Sequence, residues 1–346
     1  MSGGGHCSFN KFYVLDLQPK NSFIKWAVDQ GHTVFAISWV NPDEKLAEKG
    51  FENYMLEGPL AALDAIESAT GEHNVNAIGY CLGGTLLAST AAYSAVKGDD
   101  RIASATYFAT LVDFTEVGDM AVFIDEGQLA SLERRMRGRG YLEAQDMAAA
   151  FNMLRANDLI WSFVVSNYLL GKEQMPFDLL FWNSDSTRMP AAMHSFYLRK
   201  MYQQNLLAKP CGISLAGTPI DLSKIRTPTF ILSAREDHIA PWKSTYAAIR
   251  LYSGPVKFVL SASGHMAGVI SAPGSKYGHW ANDNLPPSPD EWFAGATPHL
   301  ESWWPIWDEW VTQLDSDHVP AREPGGGKLT IIEDAPGSYV RMRSAA

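Results

Sequence analysis

The stretch Ala77-Ile78-Gly79-Tyr80-Cys81-Leu82-Gly83-Gly84-Thr85 restricts the fold of this chain more than any other. The apolar run "NVNAIGY" (74–80) reads as a strand, and the small residues after Cys81 are compatible with a helix. A strand can pass into a helix within a couple of residues only if the turn has little side-chain bulk, which Gly79 and Gly83 provide. Such a turn is a nucleophile elbow: it lifts one side chain above the carboxyl edge of a parallel sheet, with a helix N-terminus behind it. Here that side chain is a thiol. A structural cysteine beside flexible glycines is the competing reading.

The rest of the chain repeats the strand and helix alternation. "KFYVLD" (11–16) and "HTVFAISW" (32–39) read as strands, with "NSFIKWAVDQG" (21–31) a helix between them. In "NYMLEGPLAALDAIESATG" (53–71), Leu56, Leu60 and Leu63 share one helical face, and Gly71 ends the helix. "SATYFAT" (104–110) resumes strand character. From 111 to 223 helical stretches dominate, among them "DLIWSFVVSNYLLG" (158–171) and "AMHSFYLRKMYQQNLL" (192–207). "TPTFILSARED" (227–237) and "VKFVLSASGH" (256–265) then return as strand and loop units around the helix "WKSTYAAIRLYSG" (242–254). The expectation is an α/β protein: a mostly parallel sheet with helices on both faces, formed by residues 1–110 and 224–346, with 111–223 inserted as a helical cap.

A chain of 346 residues that is 46% hydrophobic can bury a large core, and Trp303, Trp304, Trp307 and Trp310 lie at helical spacing as one apolar face. A net charge of −10 argues against nucleic acid as a partner. The opening "MSGGGHCSFN" lacks the basic and apolar regions of a signal peptide, and no apolar run reaches membrane-spanning length, which points to the cytoplasm. Three cysteines, Cys7, Cys81 and Cys211, are too few and too scattered for a disulfide framework or a zinc site.

A nucleophile on an elbow requires an acid and a histidine later in the chain, each just after a strand. Asp237 follows "FILSARE" and His265 follows "FVLSASG", in the order nucleophile, acid, histidine. Glu236 and His238 are the neighbouring alternatives, Asp221 reads as a helix cap or junction residue, and His32 and His279 read as structural or exposed. The backbone N–H of Leu82 faces the place where an oxyanion would form. A thiol forms a thioester, and a thioester can wait for an alcohol if a cap excludes water.

Six strings together carry a family resemblance. "FYVLDLQPKNSF" (12–23), "AIGYCLGGT" (77–85), "PFDLLFWNSDSTRMP" (176–190), "SAREDHIAPW" (233–242), "SASGHMAGVI" (261–270) and "YGHWANDNLP" (277–286), with a closing "APGSYVRMR" (335–343), resemble the catalytic domain of class I polyhydroxyalkanoate synthases. The resemblance implies an α/β-hydrolase fold and an acyltransferase that polymerises (R)-3-hydroxyacyl-CoA, releasing CoA. It implies Cys81 as the nucleophile carrying the growing chain, His265 as its base, and Asp237 as the carboxylate that orients His265 or activates the incoming hydroxyl. No metal or redox cofactor is implied, because the acyl-CoA is the substrate. The implied partners are the polyester chain, a second copy of the protein and a polyester granule. For the CoA phosphates, "RRMRGR" (134–139) and Arg199 are candidates, with a solvated cap surface as the plainer reading of both.

Class I synthases carry an N-terminal domain that this chain does not show. The apolar strand expected before "NKFYVLDLQP" is replaced by "MSGGGHCS". The resulting expectation is a sheet missing an internal strand, and a weakened oxyanion site, since the second N–H donor would come from around Ser8 to Asn10. The competing readings are a truncated, weakly active or inactive synthase-like granule protein and a cysteine hydrolase of the dienelactone-hydrolase type.

Overall fold

The computed structural model describes residues 2–5, 11–146, 164–171 and 178–342. Eight strands form one sheet: β1 (Ser2–Gly5), β2 (Val34–Ala36), β3 (Val75–Tyr80), β4 (Ile102–Phe108), then, after two small hairpins, β9 (Thr229–Ala234), β10 (Val256–Ser261), β11 (His279–Ala281) and β12 (Thr297–His299). The hairpin strands are β5 (Tyr141–Leu142) with β6 (Met189–Pro190), and β7 (Ile213–Leu215) with β8 (Thr218–Ile220). The spatial order of the main sheet is β12-β11-β10-β9-β4-β3-β1-β2. From β2 to β10 every pairing is parallel, and the last two strands run antiparallel.

The expected gap in the sheet is absent. Ser2 to Gly5 lie between β2 and β3 and pair in parallel with both, Gly3 opposite Phe35 on one side and Ala77 on the other. Ladder hydrogen bonds use only backbone groups, so a run of glycines can occupy a strand position that its side chains would never advertise. "KFYVLD" is accordingly not a strand. Phe12–Leu15 form a 3₁₀ turn that buries Val14 and Leu15, and a short apolar run does not by itself distinguish the two. Ser8 to Asn10, Cys7, and residues 158–163 of the expected cap helix lie outside the described residues.

The helices follow the sequence more closely. Ser22 caps α1 (Phe23–Asp29), its hydroxyl accepting the Lys25 N–H at 2.8 Å. α2 (Phe51–Met55) and α3 (Ala61–Thr70) are joined by a π-helical turn, Leu56–Leu60, which accommodates Pro59, and Gly71 ends α3 at φ +77°. α4 (Leu82–Lys97) follows the elbow. Between β4 and β9, which are neighbours in the sheet, the chain makes α5 (Glu126–Arg137), α6 (Asp178–Ser184) and α7 (Ala191–Phe196). α8 (Trp242–Tyr246), α9 (Pro289–Ala294), α10 (Trp304–Leu314) and α11 (Ser338–Arg341) complete the chain.

Alternation along the strands builds two cores. Val75 and Ala77, Tyr107, Ile231, and Phe258 and Leu260 face an aliphatic side with Met55, Leu63 and Leu86. Ile78 and Tyr80, Phe108, Phe230 and Leu232, and Val259 face an aromatic side with Phe23, Trp303, Trp304 and Trp307. Described residues of the 111–223 segment share the aliphatic core: Met136, Leu142, Met193, Tyr197 and Met201 join it directly.

Candidate active site

The elbow forms where β3 meets α4. Cys81 has φ +54° and ψ −123°, a conformation that is costly for a residue with a side chain and that is held by its surroundings. Its N–H donates to the Phe108 carbonyl of the adjacent strand end at 2.9 Å, and its own carbonyl accepts from Gly84 N at 2.9 Å. The need for glycine lies partly elsewhere than the spacing suggested. A Cβ on Gly79 would stand 2.5 Å from the Gly84 Cα, and a Cβ on Gly84 would run into the Thr110 side chain. Gly84 thus shares with Gly79 the role assigned to Gly83. Leu82 opens α4, so its N–H has no carbonyl within the helix to bond.

Asp237 and His265 are brought together on the loops after β9 and β10. The Asp237 Oδ2 accepts from His265 Nδ1 at 2.6 Å, and the carboxylate side chain is fully buried. The other oxygen, Oδ1, accepts the N–H groups of Ile239 and Ala240, both at 2.9 Å. The two loops are also tied through their backbones, by Glu236 N to Ser263 O at 2.8 Å and Arg235 N to Ser261 O at 2.9 Å. With Nδ1 committed to Asp237, the ring presents Nε2 as the nitrogen able to exchange a proton with a nucleophile. Tyr80, the residue before Cys81, contacts the histidine. Its ring stacks on His265 at 5.3 Å, and its hydroxyl donates to the His265 carbonyl at 2.8 Å. Cys81 and Met266 pack against the same aromatic core.

The other candidates occupy different settings. Glu236 is exposed, and the His238 carbonyl accepts from Asp119 N in a loop-to-loop bond. Asp221 caps the 3₁₀ turn Leu222–Lys224 through Ser223 N. His32 pairs with Asp308 at 2.7 Å, and His279 is buried against the Glu301 carbonyl, its burial holding the ring below the usual histidine range. Arg199 is engaged with Glu126 and Glu133, in keeping with the plainer reading of a cap-surface residue. Arg134, Arg135, Arg137 and Arg139 are exposed on and just after α5, as a solvated face would be.

Sequence reasoning treated the tryptophans only as core. Their indoles also hold the histidine loop: Trp303 Nε1 donates to the Gly268 carbonyl at 2.9 Å and Trp304 Nε1 to the Val269 carbonyl at 3.1 Å. These bonds join a helix to a loop about 35 residues away in sequence, a link that no local pattern encodes.

Residues 3–270 match the family model described as alpha/beta hydrolase fold. The chain belongs to the α/β-hydrolase fold family. It is 56% identical to the poly(3-hydroxyalkanoate) polymerase subunit of Rhizobium meliloti, over 97% of this chain and 55% of that protein. It is 53% identical to the poly(3-hydroxyalkanoate) polymerase of Methylorubrum extorquens, over 97% and 56%, and 42% identical to the polymerase subunit of Cupriavidus necator, over 97% and 58%. The resemblance carried by the motifs therefore extends along nearly the whole chain, and the chain spans about half the length of the curated relatives it matches. Among the described residues no helix is long and apolar enough to cross a membrane.

Proposed function

We propose that this α/β-hydrolase-fold chain is the catalytic region of a poly(3-hydroxyalkanoate) polymerase, an acyltransferase that joins (R)-3-hydroxyacyl groups from their CoA thioesters, 3-hydroxybutyryl-CoA among them. The observation that carries the reading is the 2.6 Å bond from His265 to a buried Asp237, packed through Tyr80 against a cysteine elbow. Similarity to polymerases over 97% of the chain gives that arrangement its substrate class.

In the proposed cycle His265 takes the Cys81 proton and the thiolate attacks the acyl-CoA carbonyl. The Leu82 N–H stabilises the oxyanion, and CoA leaves with a proton returned by His265. The 3-hydroxyl of another acyl unit then attacks the Cys81 thioester. His265 removes the hydroxyl proton, an ester forms and the thiol is restored. Asp237 fixes the ring's tautomer and stabilises its charged form. The cycle calls for no metal or redox cofactor. Residues 111–223 act as the cap over this edge, inserted between 1–110 and 224–346. The proposed partners are the growing polyester, a second copy of the chain and the surface of a cytoplasmic polyester granule.

The test is CoA release from 3-hydroxybutyryl-CoA by the chain and by its Cys81→Ala variant, with products separated into polymer and free acid. Cys81-dependent release with polymer supports the reading. Cys81-dependent release of free acid alone would make the chain a hydrolase.

A further inference from the structure

Lys11 is the most fully enclosed cation among the described ion pairs, and it lies outside every role assigned above. Its side chain is 4% exposed and that of its partner Asp185 is 10% exposed. The ammonium has three donors, and three acceptors meet it: Asp185 Oδ1 at 2.8 Å, the Val340 carbonyl at 2.7 Å and the Met342 carbonyl at 2.6 Å. The second Asp185 oxygen accepts the Tyr13 hydroxyl at 2.8 Å, and the Lys11 carbonyl accepts Trp182 Nε1 at 2.7 Å. One buried node thus joins three distant parts of the chain: the 11–13 segment, the end of α6, and the C-terminal strap that carries α11.

The strap is delivered to this node by a specific turn. Gly337 has φ +84° and ψ +171°, a region in which only glycine is comfortable, and Glu333 accepts both the N–H and the hydroxyl of Ser338 just beyond it. The joined parts also share an aromatic core with the elbow. Trp182 is buried in the aromatic core with Tyr80 and Phe108, while Tyr13, Leu17, Leu179 and Cys81 pack against that same core.

We propose that Lys11 is a positioning residue, and that with Asp185 and the C-terminal strap it clamps the apolar rim beside Cys81 so that the acyl-cysteine is kept from water. This rests on the acyl-cysteine chemistry proposed above. The thioester has two fates. Attack by a 3-hydroxyl breaks the C–S bond, forms an ester and returns a proton to sulfur; attack by water breaks the same bond and releases a free 3-hydroxy acid. His265 serves both nucleophiles alike, so their partition is set by which of them reaches the carbonyl. A rim held by a satisfied buried network favours the hydroxyl, and a loosened one admits water.

The experiment compares Lys11→Met and Gly337→Val with the parent chain on 3-hydroxybutyryl-CoA, measuring free acid against ester-linked product. Gly337→Val leaves the Lys11–Asp185 pair in place and strains only the turn that seats the strap, so it serves if Lys11→Met fails to fold. The expected result is a ratio of free acid to polymer raised about tenfold in each folded variant, with KM for the acyl-CoA little changed. An unchanged ratio in folded Gly337→Val overturns the proposal. If the parent releases no CoA, the polymerase reading fails instead, and the clamp is then judged by amide hydrogen exchange. Faster exchange at residues 11–17 and 178–185 in Gly337→Val supports it, and unchanged exchange overturns it.

Discussion

At the carboxyl edge of the sheet, Cys81, Asp237 and His265 are held largely through backbone groups: the Cys81 N–H on the Phe108 carbonyl, two amides on Asp237, and two loop-to-loop bonds beside His265. In the 111–223 segment charged side chains add to the apolar packing already described, with Arg199, just after α7, paired to Glu126 and Glu133 on α5, and Lys11 reaching Asp185. Backbone ties leave little freedom and hold a geometry that chemistry requires. Side-chain ties hold a covering segment at a strength that depends on burial: Arg199 and Glu133 are each 27% exposed, against 4% for Lys11. The difference separates a rigid edge, proposed as the reacting centre, from a segment with graded attachment, proposed as its cover.

The largest effect is expected at the edge itself. Cys81→Ala lowers CoA release by about five to six orders of magnitude with the fold intact, as measured by initial rates and circular dichroism. Asp237→Asn leaves the ring unoriented and costs about three to four orders of magnitude, read in the same assay. If either variant retained activity within tenfold of the parent, the edge would not be the reacting centre.

Stability should show the same contrast. His194 on α7 is buried without exposure to water, and desolvation depresses its pKa to about 4 from 6.5. Between those values the unfolded chain binds the proton and the folded chain does not. Stability is therefore complete above pH 6.5 and falls as the pH drops towards 4, by on the order of 3 kcal/mol. Urea denaturation at pH 7 and pH 4.5 measures this fall, and His194→Phe reduces it.

Gly84→Ala pushes a methyl group into Thr110 and costs about 2 kcal/mol by the same denaturation, with Thr110→Ala restoring part of the loss. The smallest effect is expected for Arg199→Met, under about 1 kcal/mol and decreasing with salt. Should Arg199→Met cost more than Gly84→Ala, the contrast between a backbone-held edge and an ion-tied cover would break.

The edge was readable because its requirements are local. An elbow needs its small residues within a few positions of the nucleophile, and the acid and histidine each close a strand marked by an apolar run. Asp221 could be recognised as a cap for the same reason. β1 could not, because Ser2 to Gly5 pair through backbone alone and offer no alternating pattern. "KFYVLD" misled in the opposite sense, its apolar residues filling a 3₁₀ turn. The Trp303 and Trp304 bonds to the histidine loop, and the burial of Lys11 by carbonyls some 330 residues away, arise only from tertiary contact. A lysine in the sequence looks like a surface residue until its acceptors are in view.

In the proposed cycle the acyl chain is carried on Cys81. Acid-quenching the protein during turnover of 3-hydroxybutyryl-CoA and mapping its peptides by mass tests this most directly. The expected result is adducts in whole 3-hydroxybutyryl increments on the peptide containing Cys81, absent from Cys81→Ala. Turnover with an unmodified Cys81 peptide, or with adducts on another residue, would contradict it.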